Sequence, residues 1–386
     1  MFIRRAIGAE LQELLKEYPV VTILGPRQAG KTTLAKESLK EYSYANLEDP
    51  ETREIAQEDP KAFLARHGDR VVVDEVQRVP ELLSHIQVRV DEVKGNGQYV
   101  LTGSHQLSLR EAISQSLAGR TAILNLLPFS ISELKAADIQ FDRFEDYCFT
   151  GFLPRIYEES QRPTTAYSNY YQTYIERDVR QLIQLKDASL FEKLIKLLAG
   201  RTGQVLDYSS LANDVGVDAK TVRHWISILE ASFIVFKLSP YFENFGKRVI
   251  KSPKYYFTDV GLLCFLLGIR ESDQISRDPL VGQIFENLVV IECLKSRYNK
   301  GTLPDLYFFR DNKGNEVDLV AQSGRALKAI EIKSASTFSM NQLRGIRRFN
   351  SITDKVESSY LIYTGDAHSL SDNISAVHFT SVESIL

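Results

Sequence analysis

The run Gly25-Pro-Arg-Gln-Ala-Gly-Lys-Thr32 constrains this chain more than any other. It fits G-x-x-x-x-G-K-[ST] without a gap, follows the apolar stretch Val20-Val-Thr-Ile-Leu24 and opens a helix-like stretch, the context that makes the motif specific. Its glycines let the loop curl so that backbone N–H groups face phosphate oxygens, helped by the positive end of the next helix. Gly25, Pro26, Arg27, Gln28, Ala29, Gly30, Lys31, Thr32 and Thr33 are therefore the expected nucleotide cradle. Lys31 is expected to reach the β- and γ-phosphates and Thr32 to ligate Mg²⁺, while Thr33 serves the helix start. Arg27 is expected either to touch phosphate or to cap the nucleotide.

Two further strand-like runs end in polar residues suited to the same chemistry. Val71-Val-Val-Asp-Glu75 offers Asp74 for Mg²⁺ and Glu75 to polarise the attacking water, and Leu101-Thr-Gly-Ser104 offers Thr102 or Ser104 to sense the γ-phosphate. Strands this continuously apolar suit a parallel sheet covered on both faces.

The chain has 386 residues, enough for two or three domains. Its 47 Lys plus Arg against 50 Asp plus Glu leave a net charge of −3, which excludes a globally basic nucleic-acid binder but not a local basic patch. Cys148, Cys264 and Cys293 have neither disulfide nor metal spacing, so a reducing cytoplasm is the expected compartment. The first residues lack the apolar core and cleavage site of a signal peptide, and no apolar run approaches the ~20 residues that span a bilayer.

These motifs carry a resemblance. The residues Gly25 to Thr33, Val73-Asp-Glu-Val-Gln77 with Pro80-Glu-Leu82, and Thr102-Gly-Ser104 are similar to a prokaryotic AAA+ family of P-loop ATPases with a C-terminal domain of long-unassigned function. Leu117-Ala-Gly-Arg120, Pro128-Phe-Ser-Ile-Ser-Glu133, Gly151-Phe-Leu-Pro154 and Tyr174-Ile-Glu-Arg-Asp178 extend the resemblance over nearly the whole chain. It implies ATP and Mg²⁺ as cofactors and a ring-like homo-oligomer such as a hexamer. It also implies an arginine that reaches the γ-phosphate from a neighbour or a lid, for which Arg120 and Arg177 are the candidates.

In the middle of the chain, residues 208–216 and 218–230 read as helix, glycine turn, helix, with Ser209 or Ser210 and Asp218 at the N-cap positions. Strand-like runs at 233–236 and 254–259 follow, an order that suggests a winged helix-turn-helix. Lys220, Thr221, Arg223 and His224 would then meet a major groove, and Lys247, Arg248, Lys251 and Lys254 would hold phosphates. Trp225 is expected in the core.

The C-terminal stretch pairs Asn315-Glu-Val-Asp-Leu-Val320 with Ala329-Ile-Glu-Ile-Lys333, and strand alternation puts Glu331 and Lys333 on one face. Glu286 lies on a helix upstream. This resembles the PD-(D/E)xK nuclease superfamily, which implies Asp318, Glu331 and Glu286 as Mg²⁺ ligands and Lys333 as the residue that positions water. Glu316 is expected to turn away from Asp318.

The expected fold class is α/β in three parts: an AAA+ P-loop parallel sheet (1–134), a helical lid plus winged helix (135–270), and a restriction-nuclease-like α/β domain (271–386). The expected function is a cytoplasmic Mg²⁺-dependent ATPase that couples its nucleotide state to DNA, with or without cleavage. The alternative is an ATP-gated oligomeric switch that binds a protein partner.

Overall fold

The computed structural model of the chain describes residues 2–104, 109, 112–113, 115–179, 188–242, 251–371 and 373–386, and the side chains of 176–178 and 188 lie outside that description. The chain forms two compact units. The first comprises Met1–Phe129 with Ala231–Phe233 and Tyr298–Thr302; the second comprises Ser130–Glu230, Ile234–Arg297 and Leu303–Leu386.

The first unit is built on five parallel strands, β1 (Val20–Leu24), β2 (Ser43–Asn46), β3 (Val71–Asp74), β4 (Tyr99–Gly103) and β5 (Thr121–Asn125), in the order β2-β3-β4-β1-β5. β1, β3 and β4 are buried along their whole length, as strands of a parallel sheet covered on both faces must be. On one face Val21, Ile23, Val72, Val100 and Leu124 pack with Leu11 and Leu15 of helix Gly8–Glu17 and Leu34 and Ala35 of helix Lys31–Ser38. β1 is an interior strand flanked by β4 and β5, so the loop leaving its carboxyl end opens beyond the carboxyl ends of the strands, where ligands of open α/β sheets bind.

The second unit begins with short helices and continues through a π-helical segment, Tyr171–Val179. Helices Tyr208–Val215 and Ala219–Ala231 follow, joined by a turn in which Gly216 has φ +96°, a conformation that favours glycine. The first of these helices is capped by Asp207, whose carboxylate accepts from the amides of Ser209 and Ser210, so the cap lies upstream of the two expected serines. Asp218 caps the second, accepting from Thr221 N at 2.9 Å. Trp225 is buried against Phe191.

A mixed eight-stranded sheet completes this unit: β6 (Val235–Pro240), β7 (Lys254–Phe257), β8 (Leu306–Arg310), β9 (Glu316–Ser323), β10 (Ala326–Ile332), β11 (Val356–Tyr363), β12 (His368–Ser371) and β13 (Ile374–His378). The order is β12-β13-β11-β10-β9-β8-β6-β7. β6 joins through Ser239 and Pro240, which pair in parallel with Tyr307 and Phe308. Residues on both sides of the expected 270/271 joint thus belong to one sheet. Helix Arg344–Asn350 covers β9 to β11 with Ile346 and Phe349. Among the described residues, no helix is long and apolar enough to cross a membrane.

Candidate functional site

The loop after β1 is shaped by what cannot be there. A Cβ on Gly25 would lie 2.0 Å from the Leu126 carbonyl oxygen, and Gly30 takes φ +91° as the residue that starts helix Lys31–Ser38. Lys31 is buried, and its ammonium donates to the carbonyls of Gly25 at 3.0 Å and Pro26 at 2.8 Å. Burial lowers its pKa to about 8 despite the carboxylates of Glu75 and Asp74. Arg27 lies 3.9 Å from Glu48, at the rim of the loop.

Asp74 is the hub of the site. One oxygen accepts from Thr32 Oγ1 at 2.7 Å and from the Tyr44 hydroxyl at 2.5 Å, and the other accepts from the Thr102 hydroxyl. The expected magnesium residues Thr32 and Asp74, 42 positions apart, are therefore joined directly. Thr102 faces Asp74 on β4, and its Oγ1 also lies 3.3 Å from the Glu75 amide. Glu75 has φ +57°, a left-handed conformation that costs a non-glycine residue about 1–3 kcal/mol and clusters at functional sites. Its carboxylate accepts from Ser104 Oγ at 3.2 Å and from the side-chain amide of Gln77. The donor set fits ATP with Mg²⁺: a hydroxyl and a carboxylate for a hard cation, an ammonium for phosphate, and a loop free of Cβ atoms where the chain passes closest.

Arg120 is not brought to this loop within the chain. It precedes β5 at the opposite, amino end of the sheet, where its carbonyl accepts from Val20 N, and its guanidinium forms a two-pronged pair with Asp91 at 2.7 and 2.9 Å. Arg177 belongs to the π-helical segment, and its side chain lies outside the described residues.

In the second unit, Asp318, Glu331 and Lys333 converge. Lys333 Nζ lies 3.1 Å from Asp318 Oδ2 and 2.7 Å from Glu331 Oε1, and Asp318 Oδ2 also accepts from Ile332 N at 2.8 Å. Burial, reinforced by Asp318, raises the Glu331 pKa to about 8. Burial works against the charge on Lys333, but Asp318 and Glu331 together hold its pKa above the ordinary value. Glu286 is committed elsewhere, to Lys254 at 3.0 Å and the Tyr256 hydroxyl at 2.5 Å.

Two expectations change here. Lys254 does not face phosphate: it is 2% exposed and sits between Glu286 and Glu316, 2.6 Å from the latter. Glu316 does not turn away, because residues two apart on a strand share a face, and it joins the cluster through Lys254 and Arg310. Lys247 and Arg248 lie outside the described residues.

Among the described residues, no group of three or more His, Cys, Asp or Glu is arranged to hold a metal ion. Among those residues Glu331 Oε2 is buried without a hydrogen-bond partner. Asp318 and Glu331 share Lys333, while Glu286 is engaged by its own lysine and tyrosine.

The sequence matches the AAA domain over residues 17–135 and two domains of unknown function, DUF8612 over 141–273 and DUF4143 over 281–382. An uncharacterized protein of Mycobacterium tuberculosis (strain ATCC 25618 / H37Rv) is 31% identical over 382 residues, covering 97% of this chain and 83% of that protein. The chain belongs to that family of AAA-domain P-loop proteins. An uncharacterized protein of Haemophilus influenzae is 24% identical, over 59% of this chain and 58% of its own length. Among solved structures, the Walker-type ATPase PABY2304 of Pyrococcus abyssi aligns with TM-score 0.42 at 15% identity, over 69% of this chain and 96% of that one. AMPPCP-bound DnaA from Aquifex aeolicus aligns with TM-score 0.31 at 16% identity, over 58% and 85%.

The AAA domain recruits residues that motif reading passed over. Arg5 is buried and donates to the carbonyls of Ala29 and Leu127 at 2.6 Å each, tying the P-loop to the segment after β5. Tyr44 reaches Asp74 from β2. Neither belongs to a contiguous motif; Tyr44 stands on β2, the strand paired with the one that ends in Asp74.

Proposed function

We propose that this AAA-domain protein is a Mg²⁺-dependent ATPase whose nucleotide state governs how its C-terminal half engages DNA. The observation that carries the hydrolytic reading is the direct bond between Thr32 and Asp74, with Glu75 as the next residue. Lys31 exchanges its loop carbonyls for the β- and γ-phosphates. Thr32 and Asp74 hold Mg²⁺, which supplies charge neutralisation across the phosphates when bound. Glu75 orients the attacking water. Arg120, at the far end of the sheet from its own P-loop, serves a neighbouring subunit in a ring-like homo-oligomer.

DNA engagement is supported by helix Ala219–Ala231, whose first turns expose Lys220, Arg223 and His224. Thr221 is spent on its own cap, its hydroxyl donating to Asp218 at 2.7 Å. Asp318, Glu331 and Lys333 are the residues for phosphodiester cleavage. A second reading, a nucleotide-gated switch for a protein partner without cleavage, is favoured by the two ammonium groups, Lys254 and Lys333, that already neutralise the acids of that cluster.

One experiment separates them: Mg²⁺-dependent ATP turnover of wild type, Glu75→Gln and Lys333→Ala, with and without single- and double-stranded DNA, following strand integrity in the same tubes. Glu75→Gln should retain ATP and stall hydrolysis. DNA-stimulated turnover, with cleavage lost only in Lys333→Ala, supports the first reading. Turnover indifferent to DNA with all strands intact favours the second, and turnover unchanged by Glu75→Gln removes the role given to that residue.

A further inference from the structure

Gln77 follows Glu75 by two residues, in the turn Val76–Arg78, and no step above uses it. Its side-chain amide nitrogen donates to Glu75 Oε2 and lies 3.4 Å from Ser104 Oγ, which donates to the same Glu75 oxygen at 3.2 Å. Two donors, one from the turn after β3 and one from the end of β4, thus converge on a single carboxylate oxygen. Glu75 Oε1 carries no hydrogen bond among the described residues.

The Gln77 amide is oriented for this contact at the expense of its other end. Among the described residues Gln77 Oε1 is buried with no hydrogen-bond partner, and a Cβ on Gly103 would come within 2.7 Å of it. Reversing the amide would set its oxygen against the Glu75 carboxylate. Gly103, between Thr102 and Ser104, leaves the room the Gln77 side chain occupies. The three-residue run Thr102-Gly103-Ser104 therefore does three things: Thr102 binds Asp74, Gly103 admits Gln77, and Ser104 binds Glu75.

Resting on the hydrolytic reading, we infer that Gln77 is a positioning residue that, with Ser104, clamps Glu75 by Oε2 and presents Oε1 to the attacking water. A carboxylate on a flexible stem must otherwise select one orientation in each turnover, and fixing it beforehand lowers the barrier without altering how ATP is held. The clamp therefore acts on kcat and leaves nucleotide binding alone.

The test uses the full-length chain: wild type, Gln77→Ala, Gln77→Glu, Ser104→Ala and Gln77→Ala with Ser104→Ala. Steady-state hydrolysis gives kcat and KM for ATP, titration with a fluorescent ATP analogue gives Kd, and thermal unfolding checks each fold. Gln77→Ala should lower kcat about 10-fold or more, with KM and Kd within about 2-fold of wild type. Gln77→Glu, which faces Glu75 with a like charge, should be slower still. Ser104→Ala should lower kcat less, and the double variant should fall short of the product of the single losses because both donors serve one oxygen. If Gln77→Ala and Ser104→Ala both keep kcat within about 2-fold, or lose nucleotide affinity and thermal stability together, the clamp is wrong. A wild type without Lys31-dependent turnover would remove the hydrolytic reading and the clamp with it; an active wild type with indifferent variants removes the clamp alone.

Discussion

Thr32 Oγ1 and the Tyr44 hydroxyl donate to the same oxygen of Asp74, at 2.7 and 2.5 Å. Tyr44 comes from β2, separated from the P-loop strand by β3 and β4 in the sheet order, and the ring sits under the Lys36 ammonium at 4.0 Å. It steadies the carboxylate proposed to hold Mg²⁺. Outer partners of metal-binding carboxylates are typically worth about 10–100-fold in metal affinity or activity. Tyr44→Phe should raise the Mg²⁺ concentration for half-maximal turnover by roughly 10-fold. ATP affinity without Mg²⁺ should stay unchanged, and a Mg²⁺ titration of turnover checks both.

The lowered pKa of Lys31, about 8, gives a pH dependence of defined sign. Phosphate binding requires the ammonium, so ATP affinity should be flat below about pH 8 and weaken by up to about one decade per unit above it. For stability the sign is opposite to that of an ordinary ion pair. Between pH 8 and 10.5 the unfolded chain keeps the lysine proton and the folded chain releases it, so stability from this group rises with pH and is lost as pH falls through 8. At pH 7 the buried ammonium costs up to about 3 kcal/mol at 1.36 kcal/mol per pKa unit. Lys31→Met should therefore bind no ATP yet unfold at a higher temperature than the nucleotide-free wild type. A lower melting temperature in that variant would mean the ammonium is stabilising where it lies.

What the sequence made legible follows from how far each contact reaches. The P-loop, the strand-end acids and the Glu331–Lys333 pair are set by spacing within one segment, and the structure places them as that spacing requires. Lys254 and Glu286 are separated by 32 residues, and nothing local distinguishes a lysine that meets phosphate from one that enters a buried acid cluster. Arg5 was invisible for the same reason: its partner Leu127 is 122 residues away. Asp207 displaced the expected serine caps because a carboxylate two residues before Ser209 can accept from both of their amides.

The proposed role of Arg120 on a neighbouring subunit is one that a mixing experiment can decide. Its pair with Asp91 is exposed, and surface ion pairs contribute little to stability, so Arg120→Ala should fold normally. Alone, Arg120→Ala lacks the arginine and Lys31→Ala lacks a working P-loop, and each should be nearly inactive. Mixed, the Lys31→Ala subunits lend Arg120 to intact P-loops of their neighbours, and turnover should recover in proportion to mixed contacts. Size-exclusion with light scattering shows whether the chains assemble. Assembly without recovery would exclude Arg120 as the arginine supplied in trans.

Lys254 holds two carboxylates, Glu286 at 3.0 Å and Glu316 at 2.6 Å, and burial alone would drive its charge off. Tyr256, Glu286, Glu316 and Asp318 instead keep its pKa well above the ordinary value, so the ammonium persists throughout the neutral range. Removing one partner of a buried pair leaves the other uncompensated, a loss of about 3–5 kcal/mol, whereas replacing both by apolar groups is often neutral. Lys254→Met should therefore lower the urea midpoint strongly, and adding Glu286→Leu should restore much of it, since Glu316 keeps Arg310 at 3.4 Å. The deficit of the single variant should also depend on pH. Glu286 already has a raised pKa through burial, opposed by Lys254; without the lysine it rises further, so the folded state binds a proton the unfolded state lacks. Stability in Lys254→Met should then be lost as pH rises and regained as pH falls toward the ordinary glutamate value of about 4.3. A midpoint indifferent to Lys254→Met at pH 7 would mean that water, and not this lysine, balances the acids of the cluster.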